Sequence, residues 1–302
     1  MAQRRLVREV SPFSAGALWT VLRALPPGWA SHAMGRLARA VGPRVLRFRN
    51  MKENLRAAFP ERAEDEVDRL ARGVCENIGR VVGELAHLDD IGFGRRAAAV
   101  TYAGEEHLAP ALDRPAVFVG AHTSNWEVNA FLFGRLPRPV YVVYSTVGHA
   151  LIDRLILRAR TETGCIYVEK AKAVRMVMEA MGKGHCVAML VDQRVASGLE
   201  VDFFGRPTVV TNLPARLAIR FSCPIIPVET QRLASARFLV SCHPPLLADG
   251  RLPLDEQARD LTQRMSTVIE EMIRRDPSAW FCAKRRWKKV RVSAAPDRQH
   301  GL

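Results

Sequence analysis

The sequence predicts an α/β fold, a mainly parallel or mixed central sheet flanked by helices and preceded by an N-terminal helical region. Past residue 115, short β-favouring runs alternate with stretches of helical periodicity, the pattern of a sheet covered on both faces. Before residue 100 the apolar positions recur at helical spacing and strand-like runs are scarce. In addition, 48% of the 302 residues are hydrophobic, which is enough for a large core and sets aside disordered and fibrous classes.

From the N-terminus, MAQRRLVREV leads into SPFSAGALWTVL, an uncharged run closed by Arg23 and Pro26-Pro27. It is too short for a secure membrane span, and the following PPGWASH is a poor signal-cleavage site. The expectation is a membrane-associated anchor over residues 1–35, interfacial or shallowly inserted, with Trp19 and Trp29 at headgroup level. A core helix of the globular domain is the alternative. From Gly35 to Leu55, Leu37, Val41, Val45 and Phe48 fall at helical spacing among Arg36, Arg39, Arg44, Arg47 and Arg49. That is a basic amphipathic pattern suited to a membrane surface, which Pro43 is expected to break or restart. After the FPE turn at Phe59–Glu61, Val67, Leu70, Val74, Ile78, Val81, Leu85 and Leu88 form a helical stripe ending at Asp89-Asp90. Residues 36–100 thus read as a helical lead-in to the sheet.

The sheet core, 101–250, is expected to draw its strands from Ala116–Gly120, Pro139–Ser145, Cys165–Val168, Cys186–Val191, Pro224–Val228 and Phe238–Cys242. Helical patterns lie between them at Leu151–Thr163, Val174–Gly182 and Leu213–Phe221. The last part, 251–302, holds a long helix over about Asp255–Arg275 and the basic tail PSAWFCAKRRWKK.

The first of these strands bears on chemistry. It ends in Gly120-Ala121 and is followed by His122, which puts an imidazole at the carboxyl end of a strand, where α/β sheets collect ligands. Thr123, Ser124 and Asn125 suit a helix start, with Trp126 and Glu127 in its first turn. Five residues of helix are about 500°. His122 and Glu127 therefore meet only if the histidine sits in the turn and the carboxylate folds back. So paired, Glu127 would fix the tautomer while the other ring nitrogen takes a proton from a substrate hydroxyl, which then attacks directly. A strand-end histidine satisfied by backbone is the alternative at this spacing. Asp192, in LVDQR, stands at another strand end and can orient substrate, bind an arginine or cap a loop. In GLEVDFFGRPT, Phe204 and Gly205 belong to a loop that either lines an acyl groove or joins the core. Arg158 and Arg160 follow on a helix and can meet phosphates or a carrier, or stay solvated.

No G-x-G-x-x-G, Walker, H-E-x-x-H or G-x-S-x-G pattern is present, so the usual support for nucleotide, zinc-protease and serine-hydrolase readings is missing. Six cysteines without C-x-x-C spacing, four in or beside strand-like runs, point to buried thiols and a cytosol-facing protein rather than to a metal site or disulfides. The net charge of +14 calls for an anionic surface or partner. It is lopsided: residues 1–56 carry eleven Arg/Lys against two Glu, and Lys284–Arg291 carries six basic residues and no acid. KRRWKK also fits a nucleic-acid patch, but on one such patch nucleic acid is not the expected partner.

Together, GAHTSNWE, LVDQ, VDFFGRPT, the terminal P-x-x-W…RRW and the earlier NLRAAFPE and ENIGRVVGELAHLD blocks resemble the bacterial lipid A biosynthesis acyltransferases, the lauroyl/myristoyl transferases of the wider lysophospholipid acyltransferase superfamily. The likeness runs over about residues 12–290. It implies an enzyme on the cytoplasmic face of the inner membrane, with an acyltransferase domain over 36–302. Such an enzyme moves a fatty acyl chain from acyl carrier protein, its co-substrate, to a hydroxyl of a lipid A precursor on an anionic membrane, with no cofactor. It further implies His122 as base and Glu127 as its acidic partner. Asn125, Trp126, Arg160, Asp192, Phe204 and Gly205 fall to substrate binding, and no residue to a metal. Ser124 and Lys284 depart from the glycine and histidine of many relatives and leave other acceptors open, a lysophospholipid or phosphoinositide mannoside among them. The rival from another class is a non-catalytic basic module that binds membrane or nucleic acid.

Overall fold

The computed structural model describes residues 12–96 and 99–287. Of the basic residues expected at the two ends, those before Pro12 and from Lys288 onward fall outside them, whereas those from Arg23 to Arg56 and from Lys284 to Arg286 are described. Helices α1 (Pro12–Ala24), α2 (Pro27–Val45), α3 (Phe48–Ala58), α4 (Glu64–Leu85) and α5 (Leu88–Gly92) precede the sheet. There follow β1 (Ala99–Ala103), α6 (Ala109–Asp113), β2 (Val117–Gly120), α7 (Asn129–Phe133), β3 (Val140–Tyr144), α8 (Ala150–Arg160), β4 (Ile166–Glu169), α9 (Ala173–Gly182) and β5 (Cys186–Leu190). A hairpin, β6 (Leu199–Phe203) and β7 (Arg206–Val210), leads to α10 (Leu213–Arg220), β8 (Ile225–Ala234), β9 (Arg237–Cys242) and α11 (Leu254–Arg275).

The seven-stranded sheet has the order β1-β9-β8-β2-β5-β3-β4. All its pairs are parallel except β8 with β9. All six expected strands are present. The sequence reading did not contain β1, the β6–β7 hairpin, or the polar second half of β8, which is strand because β9 pairs antiparallel with it. β2 is buried on both faces: Val117 and Val119 join the core beneath α4, α10 and α11, while Phe118 joins the opposite core with Leu132 and Ile226.

Contrary to expectation, Pro43 does not break its helix; it lies in the last turn of α2, the break comes at Leu46-Arg47, and Leu46 N–H still bonds the Gly42 carbonyl at 2.8 Å. Residue 35, where the sequence reading changes from anchor to domain, lies in mid-α2. Helices α2 and α4 meet at backbone distance. A Cβ on Gly79 would stand 2.2 Å from the Met34 carbonyl oxygen, and one on Gly83 would stand 2.4 Å from that of Ala30. Helix α1 is pinned at its C-terminal end, where Arg23 bonds both Asp89 oxygens at 2.6 Å and His87 Nε2 meets the Leu22 carbonyl at 2.8 Å.

Trp29 is 73% exposed, and Phe13, Val21, Leu37, Val41 and Val45 are exposed with it on α1 and α2. Trp19, expected at the surface, turns instead to the small cluster of Leu22, Ala30 and Ala86. Among the described residues no helix is long and apolar enough to cross a membrane.

Candidate active site

Strands β2 and β5 are adjacent and parallel, with Gly120 opposite Leu190. Two residues further along each strand stand His122 and Asp192, so the register alone brings them face to face. His122 Nδ1 lies 2.6 Å from Asp192 Oδ1, and the other carboxylate oxygen accepts from Trp280 Nε1 at 3.0 Å. Asp192 is 2% exposed. Burial pushes its carboxyl up, but the His122 imidazole and the Trp280 indole N–H outweigh burial and hold it below the ordinary carboxylate value. A carboxylate so held accepts the Nδ1 proton and leaves Nε2 as the basic nitrogen, at the wall of the main cavity.

This corrects the expected partner. Glu127 does not hold His122. Its carboxylate receives a bidentate pair from Arg160, Nε to Oε2 at 2.8 Å and Nη2 to Oε1 at 2.7 Å, with Trp126 Nε1 on Oε1 at 3.1 Å. The physical reason is the turn: Asn125 caps it by accepting the Glu127 N–H at 3.2 Å, residues 126–128 form one 3₁₀ turn, and Glu127 is directed towards α8. Arg160 lies over both Tyr144 and Tyr167, at 5.2 and 5.0 Å from the ring centres. Trp126 stacks on Phe281 and meets His122 edge-on at 5.0 Å.

The loop is clamped from behind. The Asn125 amide donates to Glu84 at 3.0 Å, and the fully buried Glu84 carboxylate also accepts from Ser31 and Arg232. Asn77 donates to the carbonyls of Ser124 and Ala279, both at 3.0 Å. The C-terminal segment closes the other side, where Phe281 N–H bonds the His122 carbonyl at 2.7 Å. Ser124 has φ +51°, a left-handed conformation that glycine adopts without strain, and its buried hydroxyl has no hydrogen-bond partner among the described residues. Lys284 donates to Gln193 Oε1 at 2.8 Å; since an ammonium cannot accept, the Gln193 amide nitrogen faces the histidine, 3.4 Å from Nε2.

His122, Trp126, Glu127 and Arg160 line a cavity of about 2320 Å³, larger than the usual single-ligand pocket. Leu18, Trp19, Val82, Leu155 and Ile156 give its wall an apolar part, and residues of α10 and the start of α11 line it too. Asn125 and Asp192 stand behind the wall. Phe204 and Gly205 are not in the groove, contrary to expectation. They make the two-residue turn of the β6–β7 hairpin, with φ +55° and +65°. The Phe204 ring stacks on Trp280 at 6.2 Å inside the core, which supports the indole that binds Asp192. The sequence reading missed Glu84, Asn77, Arg232 and Trp280. A signal existed for two of them: Asn77 and Glu84, seven apart, interrupt the buried face of an otherwise apolar stripe.

A sequence profile described as "Bacterial lipid A biosynthesis acyltransferase" matches residues 3–289. Two similar proteins are both named phosphatidylinositol mannoside acyltransferase. That of Mycolicibacterium smegmatis is 25% identical over 232 residues, 73% of this chain and 75% of its own length. That of Mycobacterium tuberculosis is 26% identical over 238 residues, 74% and 73%.

Proposed function

We propose that this chain, which belongs to the bacterial lipid A biosynthesis acyltransferase family, transfers a fatty acyl group from a thioester to a hydroxyl of a membrane glycolipid. The observation that carries this reading is the His122 imidazole held by the buried Asp192 carboxylate, at the wall of a cavity that is apolar in part. His122 Nε2 takes the hydroxyl proton as the oxygen attacks the thioester carbonyl, and Asp192 stabilises the imidazolium that forms. Carbon–sulfur cleavage then returns that proton to the leaving thiolate. The Gln193 amide beside Nε2 is placed to donate to the tetrahedral oxyanion. Glu127 and Arg160 form a rigid wall under the acceptor rather than the base's partner.

In this reading the donor is acyl carrier protein, a fit to the net charge of +14, and no cofactor takes part. The enzyme works on the cytoplasmic face of the inner membrane, with the exposed apolar residues of α1 and α2 in the interface and their arginines on anionic lipid. Two acceptors stand first. The family description supports a lipid A precursor, and the names of the two relatives support a phosphatidylinositol mannoside. Purified full-length chain in anionic vesicles, given acyl carrier protein thioester and each acceptor in turn, should acylate one of them. His122→Ala, checked for folding, should abolish the product, and undiminished turnover in that variant rejects the mechanism.

A further inference from the structure

The acyl-transfer reading accounts for the apolar part of the cavity wall and for His122, but not for a group of arginines in the same wall. There Arg194, from the loop after β5, Arg216 and Arg220, from α10, and Arg259, from α11, all line the wall and are all exposed. Arg216 and Arg220 are i and i+4 on an eight-residue helix, so they project side by side, an arrangement that costs stability when nothing neutralises it. None of the four makes an ion pair within 4 Å among the described residues, although most other arginines of the fold are paired; those on Glu53, Glu64, Asp68, Glu76, Asp249 and Glu270 are examples. Two carboxylates also line the cavity, Asp255 and Glu256 in the first turn of α11, and both are exposed and without an ion pair among the described residues. The four arginines therefore exceed the two α11 carboxylates by two positive charges in a cavity that His122 also lines.

We propose that these arginines form a phosphate-ester subsite: the four guanidinium groups bind a phosphate carried by one substrate while its reacting group lies at His122. Guanidinium groups suit the task because each offers a planar fork of N–H donors matched to two phosphate oxygens. Two substrates can bring that chemistry, a thioester donor through the phosphate of its pantetheine arm and a glycolipid acceptor through its phosphodiester. The proposal rests on the acyl-transfer reading for its placement of the reacting groups, and its binding test does not depend on turnover.

Full-length wild type, Arg216→Gln/Arg220→Gln, and the charge-matched control Arg206→Gln/Arg237→Gln, whose sites lie off the cavity, are titrated with inorganic pyrophosphate and followed by thermal shift. Wild type and control should be stabilised, and the cavity variant should lose most of the shift. Kinetics then identify the source. If the donor's phosphate is read, KM for a phosphopantetheine thioester rises about tenfold in the cavity variant, the loss of one charge-assisted contact, while transfer from a phosphate-free acyl-N-acetylcysteamine is unchanged. If the acceptor's phosphate is read, acceptor KM rises by that factor with either donor. Equal pyrophosphate shifts in all three proteins with unaltered KM values overturn the subsite. Loss of the pyrophosphate shift in a protein whose wild type transfers no acyl group instead supports the subsite and overturns the reading of the reaction.

Discussion

Replacing Asp192 by Asn removes one charge and keeps the shape, and the structure sets how much activity should go with it. The amide oxygen is needed to accept from Trp280 Nε1, so the amide nitrogen turns towards His122 Nδ1. That nitrogen donates, and the imidazole must take the tautomer with its proton on Nε2, the wrong one for a base. The charge-assisted bond to the imidazolium contributes roughly 1.5–3 kcal/mol, and forcing the tautomer back costs about another 1.5–2 kcal/mol, the worth of a lost hydrogen bond. At about 1.4 kcal/mol per decade the sum is a fall in kcat of roughly two to four orders of magnitude. KM should move less than about threefold, because Asp192 stands behind the cavity wall rather than in it. The assay is initial-rate transfer with both substrates varied, on protein shown by circular dichroism to be folded. A folded Asp192→Asn enzyme that keeps kcat within threefold of wild type, while Glu127→Gln loses it, would mean that Glu127 orients the base after all.

Three further outcomes follow from the same geometry. Ser124→Gly removes left-handed strain and a buried hydroxyl without a partner, so it should stabilise the fold by about 1 kcal/mol and raise Tm by a few degrees in a thermal melt; a lower Tm contradicts this account of the loop. Because the folded Asp192 carboxyl lies below its unfolded value, its contribution is complete above about pH 4 and is lost as pH falls through the folded-state value. The stability gap between wild type and Asp192→Asn in urea titrations should therefore close only below about pH 4. Burial pushes the thiols of Cys75 and Cys165 up to about 11 and those of Cys223 and Cys242 to about 12, and Cys282 is raised as well. An Ellman assay at pH 8 should accordingly find almost no reactive thiol in the native chain and all six after guanidinium unfolding.

The strands and most helices were legible because each is a local statement: a short apolar run, a stripe at helical spacing, a glycine at the turn. β1 and the hairpin were not, since Ala99–Ala103 and Leu199–Phe203 mix apolar with polar residues and become strands through their partners. The site shows the same division. His122 at a strand end follows from the order of residues, and the structure has it just past β2, in the cavity wall. Its partner depends on which strands are neighbours, a long-range fact that no local spacing encodes. Glu127, five residues away, was the nearer candidate, while Asp192, seventy away, is adjacent across the sheet. Phe204 was open to two readings, and burial against Trp280 and Phe59 decides for the core.

The backbone contact between α2 and α4 ties an outer surface to the chemistry. The helix that presents Leu37, Val41 and Val45 outward cannot tilt without displacing Gly79 and Gly83, and with them Glu84 and the turn that Glu84 grips through Asn125. Whatever presses on that outer face therefore has a stiff lever arm to the imidazole. A bulkier side chain at either glycine would pry the two helices apart and slacken a histidine loop that it never touches.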